Sequence, residues 1–390
     1  MPSPYAHYWD IDPATTYLNH GSFGPAPEPV RRAREAYSQQ LQRQPMRFFC
    51  QEMEELLEQS AERLAAFLKT KAARLALTDN ATFAMNVAAE SIALAPSDEV
   101  LLTDHEYGAV RNIWNRRCRR SDAKMVTVSL PHPLDDDSIV TNIAQAITEK
   151  TRVLVISHVT SPTAAILPVQ RVCEVARQRG VLTVIDGPHA IAMLDVSPDE
   201  IGCDFYCASC HKWLSAFFGS GFLWAHPRHH VAIQCPVGSW GGSIAGRPAT
   251  WQDRLNWLGT RDPAALLSIP AAIDFISSIG LKTFRSHAHA LTCSAWEQLL
   301  ELDGVHPLCT TSTEHFVSMV AVELPTPSNW KPGYHGHPDP LQIELRDQHG
   351  IEIPVGSWNR RRFLRVSAHL YNDTEDIRKL VTALKESQHL

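Results

Sequence analysis

Long apolar runs are missing from this chain of 390 residues. No stretch approaches the ~18 consecutive apolar residues of a membrane span, so none is expected. The opening Met-Pro-Ser-Pro-Tyr-Ala-His-Tyr-Trp segment has no apolar core, and a secretory signal is not expected there either. Cysteine is sparse: nine residues lie scattered without the spacing of a disulfide scaffold, which suits a reducing compartment and a cytoplasmic protein. Positive charge is not in excess, since 36 Lys and Arg face 42 Asp and Glu for a net charge of −6. The basic clusters Arg116-Arg117, Arg119-Arg120 and Arg360-Arg361-Arg362 are short and read as solvated faces or helix ends. No nucleic-acid partner is expected. Internal repeats and long low-complexity segments are absent as well.

What remains is an ordinary globular composition, 44% hydrophobic and 20% charged. The length exceeds one usual domain. We expect an N-terminal segment over 1–27, a large domain over 28–265 and a smaller one over 266–390. Helical patterns cover 28–68, with a turn signal at Gln44-Pro45, and 81–94. Short apolar strands then alternate with amphipathic helices: strands at 100–102, 125–128, 151–157 and 181–186, helices at 107–119, 138–147 and 169–179. That alternation predicts an α/β fold with a mainly parallel central sheet, whose ligands sit at the carboxyl ends of the strands. After 262 the pattern changes to helices at 263–279 and 286–302, an apolar strand at 316–322, a Pro/Gly/His-rich loop, further strands, and a last helix at 374–385. This tail reads as a smaller α+β domain.

Two segments carry chemistry. Asp186-Gly187-Pro188-His189 ends a buried strand, and Ser209-Cys210-His211-Lys212-Trp213 follows, its lysine 26 residues after Asp186. An ionised carboxylate that leaves water needs a partner, and a protonated pyridine nitrogen is one. Lys212 lies between an apolar strand and a Trp-Leu pair, and desolvation disfavours its ammonium. A neutral amine forms an imine with an aldehyde. A strand-end Asp alone is usually a cap and a Lys alone usually a surface residue. Together they point to pyridoxal 5′-phosphate (PLP). Asn80 reads as the cap of a helix whose first turn holds Ala81 and Thr82, a place that suits phosphate.

Two other patterns are weighed and set aside. Cys203, Cys207 and Cys210 have a C-x3-C-x2-C spacing, but Cys207 falls in a strand and buried, inert thiols are the better reading. His226 with His229 and His230, and His335 with His337, lack acidic or thiol partners at ligand spacing and read as exposed loop histidines. No metal is expected.

The Asp186-Gly-Pro-His189 and Ser209-Cys-His-Lys212-Trp segments resemble the cofactor signature of the class V aminotransferase family, which are fold-type I PLP-dependent enzymes. Within it, Tyr17-Leu-Asn-His-Gly-Ser-Phe-Gly-Pro25, Thr103-Asp-His-Glu-Tyr107, Gly259-Thr-Arg-Asp262 and Arg365-Val-Ser-Ala-His-Leu-Tyr-Asn372 are similar to the isopenicillin N epimerase branch. The resemblance implies a Schiff base on Lys212, Asp186 against the ring nitrogen, His189 near the ring hydroxyl and Tyr107 stacked on the cofactor. It implies Ala81, Thr82, Ser209 and His211 around the phosphate, with Thr260 reaching it from the partner subunit of a homodimer with shared active sites. A planar donor suits the substrate's α-carboxylate, and Arg365 is the candidate. Asn19, His20, Gly21 and Ser22 are expected on the substrate side, while Ser161 stands where relatives often place an Asn.

The reaction is narrowed but not closed. A desulfurase needs a mobile nucleophilic Cys on the loop before the carboxylate-binding Arg, and residues 354–364 hold none. Epimerisation or racemisation of an amino acid is the favoured expectation. A C–S β-lyase acting on a cysteine conjugate or sulfoxide, and an aminotransferase, are the alternatives. A PLP-binding regulator is disfavoured, because no basic helix-turn-helix length precedes the cofactor domain and both Lys212 and Asp186 are present.

Overall fold

A computed structural model describes residues 3–328, 330–332 and 337–390. His335 lies outside the described residues. Among these, the chain begins with β1 (Thr16–Tyr17) and the helix Glu28–Arg43, then enters a seven-stranded sheet. Its strands are β2 (Leu75–Thr78), β3 (Glu99–Thr103), β4 (Lys124–Val128), β5 (Thr151–Ser157), β6 (Leu182–Asp186), β7 (Phe205–Ser209) and β8 (Gly221–Ala225). The order across the sheet is β2-β8-β7-β6-β5-β3-β4. All pairs are parallel except those of β8, which runs antiparallel to both β2 and β7. The expected α/β class with a mainly parallel sheet is what forms.

The strands read as continuous apolar runs because helices cover both faces. Alternate residues go to opposite sides: Leu154, Ile156 and Ile185 join one hydrophobic cluster, Val153, Val155 and Val184 the other. Two strands carried no clear signal in the sequence. Leu75–Thr78 is short, and Gly221–Ala225 follows a turn-rich segment with no helix ahead of it, because an antiparallel neighbour needs no crossover.

The smaller unit holds β9 (His306–Pro307), β10 (Met319–Glu323), β11 (Ile351–Glu352), β12 (Val355–Trp358) and β13 (Arg361–Ser367). Four of these form an antiparallel sheet in the order β12-β13-β10-β9, backed by the helices Leu281–Leu300 and Thr374–Glu386. The fifth, β11, pairs in parallel with β1, so the N-terminal segment is stitched to the C-terminal unit. The helix expected over 263–279 is broken at Ser268, and its second part, Ile269–Ile279, packs with Val30, Leu57 and Leu64 of the N-terminal helices. We therefore place the division between units at Gly280, where φ is +93° and the chain turns into the next helix.

One of the short basic clusters is not a solvated face. Arg362 is fully buried: its Nε donates to Asp339 Oδ2 at 2.9 Å and its Nη2 to Asp339 Oδ1 at 2.7 Å. Two backbone carbonyls, Pro325 and His389, take its remaining donors. A planar guanidinium can be buried when a bidentate carboxylate and carbonyls satisfy it in this way. Among the described residues, no single helix is long and apolar enough to cross a membrane.

Gly221 opens β8 where a side chain has no room: a Cβ there would stand 2.6 Å from the Ala208 carbonyl oxygen and 2.8 Å from Asn80 Cα. Both obstacles are backbone and neither can swing aside. Gly221→Ala is expected to cost about 1–3 kcal/mol, read as a lower urea midpoint; an unchanged midpoint contradicts this packing.

Candidate active site

The carboxyl ends of the parallel strands converge on one cavity of about 480 Å³. Its lining includes Gly21, Asn80, Ala81, Thr82, Tyr107, Ser161, Asp186, His189, Ser209, His211 and Lys212. The strand register explains the convergence: Ser157, Asp186 and Cys207 are lateral neighbours on β5, β6 and β7. The loops leaving those strands therefore rise side by side.

Lys212 follows β7 and its Nζ lies 2.9 Å from His189 Nε2. Trp213 Nε1 donates to His189 Nδ1 at 3.3 Å. With Nδ1 accepting, the neutral ring carries its proton on Nε2, which can donate to Lys212 Nζ whenever that amine is unprotonated. The electrostatics agree: burial lowers Lys212, and the Arg365 charge lowers it further, with Asp186 opposing both. Burial and the Lys212 charge also hold His189 well below the usual imidazole range. Burial raises the Asp186 carboxyl, partly offset by Lys212. Among the described residues, no N–H or O–H group is hydrogen-bonded to that carboxylate.

The lysine's backbone is held from behind. His20 Nε2 lies 3.0 Å from the Lys212 carbonyl, and its Nδ1 lies 3.0 Å from the Tyr371 hydroxyl. The ring stacks on His369 at 4.0 Å between centroids. His20 was expected on the substrate side. It is instead fully buried behind Lys212, because Gly21 is the residue with no side chain and so takes the cavity wall. A Cβ on Gly21 would meet Met319 Sδ at 2.6 Å and Ser367 Oγ at 2.9 Å. Asn19 does not line the cavity either; its backbone bridges to Ser367.

The phosphate-side residues do come together. Asn80 Oδ1 caps the helix Ala81–Ser91 by accepting from Phe83 N at 2.9 Å. Ser209 Oγ accepts from the Ala81 amide at 2.9 Å. The Thr82 amide belongs to the first turn, which has no intrahelical acceptor, so this end favours an anion. His211 Nδ1 lies 3.2 Å from the Ser220 carbonyl, and burial keeps its ring neutral with a pKa lowered to about 4. Thr260 is exposed and outside its own chain's cavity.

Arg365 comes from β13 of the smaller unit and is buried beside the cavity. Its Nη1 donates to the Ser161 carbonyl at 2.5 Å and its Nη2 to Ser22 Oγ at 2.7 Å. Its Nε is buried without an acceptor, and no ion pair reaches it among the described residues. Burial pulls its pKa to about 10, with Tyr107 opposing. A buried cation with a spare donor and no anion fits a carboxylate ligand.

Several groups had no assigned role in the sequence. Phe23, Val110, Ile113, Val159 and Phe218 line the cavity, beside Ser22, which was expected on the substrate side. Glu106, one residue before Tyr107, lies buried beneath it. Its carboxyl accepts from Thr103 Oγ1 (2.8 Å), Ser157 N (3.1 Å) and Ser157 Oγ (2.6 Å). Burial raises its pKa to about 7, with the Asp186 charge adding. An acid just ahead of an aromatic at a strand end was the available signal. Tyr107 itself is half-exposed at the cavity wall and begins the helix Gly108–Ser121.

Cys203, Cys207 and Cys210 are buried, and burial raises all three thiols, so they stand as inert packing. The His226, His229, His230 group is half-buried rather than exposed: His229 Nε2 lies 2.5 Å from the buried Asp204 carboxylate.

The residues present fit PLP: a buried carboxylate without a donor, a desolvated lysine, and a capped helix start share one cavity. The comparisons agree on the class. The model of the family described as Aminotransferase class-V matches residues 16–380, and the chain belongs to that family. It is a PLP-dependent enzyme of fold-type I. It is similar to the isopenicillin N epimerase of Amycolatopsis lactamdurans, 36% identical over 395 residues, covering 96% of each chain. It is equally similar, at 36% over 386 residues, to the Streptomyces clavuligerus isopenicillin N epimerase, with 96% of this chain and 95% of that one covered. Among solved structures, a complex of the cystine C-S lyase C-DES with cysteine persulfide superposes with a TM-score of 0.82 at 22% identity. It covers 95% of this chain and 97% of that one.

Burial dictates a pH response. Burial lowers His20 to about 3, His158 and His211 to about 4, and His189 and His369 well below the usual range. Between pH 6.5 and about 4.5 the unfolded chain binds protons on these five rings that the folded chain refuses, so acid favours unfolding. Asp186 and Glu106, both raised to about 7, act in the opposite sense, because the folded chain holds their protons. The rings outnumber the acids, so stability is expected to fall as pH drops through that window, more steeply once the unfolded imidazoles are fully protonated. Denaturant titrations at pH 6.5 and 5.5 check this; a flat or rising stability contradicts the burial of the neutral rings.

Proposed function

We propose that this chain is an amino-acid epimerase that removes and returns the α-proton of an amino acid or amino-acid derivative. The carrying observation is a desolvated Lys212 amine in the cavity wall and, held by Ser161 and Ser22 of that same wall, a buried Arg365 without an anion. Arg365 binds the substrate α-carboxylate through its free Nε donor, while Ser22 and Ser161 fix the guanidinium. Lys212 Nζ, oriented by His189, takes the proton from one face of the α-carbon, and inversion requires a proton to be delivered to the opposite face. Asp186 would be the counter-ion for a protonated ring nitrogen, Tyr107 would lie against the ring, and Ala81, Thr82, Ser209 and His211 would hold the phosphate. When bound, PLP supplies an aldehyde for the substrate amine and a ring that accepts the electron pair left at the α-carbon. Buried Val110 and Ile113 give the cavity an apolar side, while Phe23 and Phe218 stand exposed at its wall.

The stretch that carries a nucleophilic cysteine in desulfurases is a tight hairpin here. Strands β12 and β13 are joined by Asn359 and Arg360 alone, with φ of +47° and +62°. Two residues at positive φ make a compact turn matched to strand twist, with no slack to swing a nucleophile. This disfavours desulfurase chemistry, and the 36% identity to two isopenicillin N epimerases supports the epimerase reading. We place the working enzyme in a homodimer of the reducing cytoplasm: its nine cysteines are free, and the exposed Thr260 completes the phosphate site of a second copy.

Proton NMR in D2O with a panel of amino acids and cysteine conjugates tests this. Loss of the α-proton signal with the substrate otherwise intact is the expected result. Lys212→Ala should slow it by about 10²–10⁴-fold. Arg365→Met should raise KM by roughly 10–100-fold, the loss of one charge-assisted contact. Release of pyruvate with a sulfur fragment would replace the epimerase by a C–S β-lyase. Amine transfer to the cofactor would replace it by an aminotransferase.

A further inference from the structure

A second cluster of ligating side chains lies away from the cavity, behind the segment that carries Tyr107. His105, on that segment, meets His132 from the loop after β4 and Cys309 from the loop after β9. Their donor atoms all lie within 4.8 Å of one another. Three segments far apart in sequence converge here, and none of the three side chains takes part in the chemistry described above. We propose that His105, His132 and Cys309 form a site for a divalent cation of zinc type.

The donor set selects the metal class. Two imidazoles and a thiolate suit zinc, and a three-ligand site leaves a fourth tetrahedral position for water. The geometry is already close. His105 Nε2 and Cys309 Sγ stand 3.9 Å apart. Bonds of about 2.05 Å to nitrogen and 2.3 Å to sulfur, at a tetrahedral angle, put the two ligand atoms about 3.6 Å apart. The tautomer is also set. His105 Nδ1 lies 2.9 Å from Asp104 Oδ1. An ionised carboxylate only accepts, so Nδ1 carries the proton and the Nε2 lone pair is free for a metal. A carboxylate behind a ligating histidine is the usual outer partner of such a site.

Asp104 is itself held by the Leu130 amide at 3.1 Å and by Asn359 Nδ2 at 3.1 Å. Access is available, because His132 is exposed while His105 and Cys309 are buried. The nearby cation, Arg361, is ion-paired with Glu323 at 2.5 Å and does not compete for the thiolate. Binding forms one metal–sulfur and two metal–nitrogen bonds; the Cys309 S–H bond breaks and its proton goes to solvent. The packing alternative is an S–H···N contact capped by rings, since His105 also lies 4.4 Å from the Trp358 ring.

Cobalt titration of the chelator-stripped full chain decides between them. The expected result is one Co²⁺ per chain, a thiolate-to-cobalt band in the near ultraviolet, and its displacement by one equivalent of Zn²⁺. Cys309→Ser should abolish the band. Asp104→Asn should weaken binding about 10–100-fold. The exposed His132→Ala should weaken it at least tenfold with an unchanged circular dichroism spectrum, which keeps the test open if the buried cysteine variant misfolds. A wild-type chain that binds no Co²⁺, a band that survives Cys309→Ser, or undiminished affinity in His132→Ala overturns the proposal.

Discussion

Two cations and one carboxylate taken out of water at the same place set the terms for the whole molecule. Lys212, Arg365 and Asp186 are all buried around one cavity. The desolvation of such groups is not repaid by their mutual attraction unless the geometry is complete. Here it is not complete. The lysine is pushed toward its free amine, the arginine keeps a donor without an acceptor, and the aspartate lacks any N–H or O–H partner among the described residues. Each deficit names the group that would relieve it: an aldehyde, an α-carboxylate and a ring N–H⁺. The incomplete charge balance is therefore the chemical description of the ligands.

Such a balance is tolerable only if the groups cannot relax away, and the surroundings are built to prevent it. His20, Tyr371 and His369 form a stacked layer that holds the Lys212 carbonyl from behind. Gly221 lets β8 close against Asn80, which caps the helix bearing Ala81, while Ser209 ties the first amide of that helix to β7. Glu106 brings a protonatable carboxyl under the strand ends and saturates it with Ser157 and Thr103. Asn80 and Ser209 also line the cavity and the others do not, yet each removes a degree of freedom from a group that does.

The parallel sheet was legible because buried strands between amphipathic helices leave a strong pattern: the helix at 169–179 and the strand at 151–157 stand within a residue of expectation. The Asp186 and Lys212 segments were legible because the residue types and the strand context are demanding together. What was hidden is tertiary. Arg362 looks like part of a surface run until Asp339, 23 residues away, is folded onto it. His20 and Gly21 differ only in which one fits the wall, a matter of Met319 and Ser367 crowding from the other unit. The His105, His132, Cys309 group has no spacing to read, since its members are drawn together by the packing of three loops. Antiparallel Gly221–Ala225 was unreadable for want of the helix that announces a parallel crossover.

The division of labour between the two units gives the site a ruler. Lys212 stands on the large sheet, while Arg365 stands on β13 of the smaller one. The N-terminal segment fastens the two: β1 pairs with β11, Ser367 N donates to the Leu18 carbonyl, and Ser22 then accepts from Arg365. The separation between proton-transferring amine and carboxylate-binding guanidinium is thus set by how the units are fastened rather than by either alone. A substrate is gauged by whether its α-hydrogen and α-carboxylate span that interval, which every α-amino acid does equally. Discrimination among amino acids must then fall to groups that touch neither end, and Phe23, Val110, Ile113 and Phe218 are the lining residues without a role in either. A cofactor that makes several bonds at one carbon breakable would leave the choice among them to the protein around it, and these walls are what a bound side chain would meet.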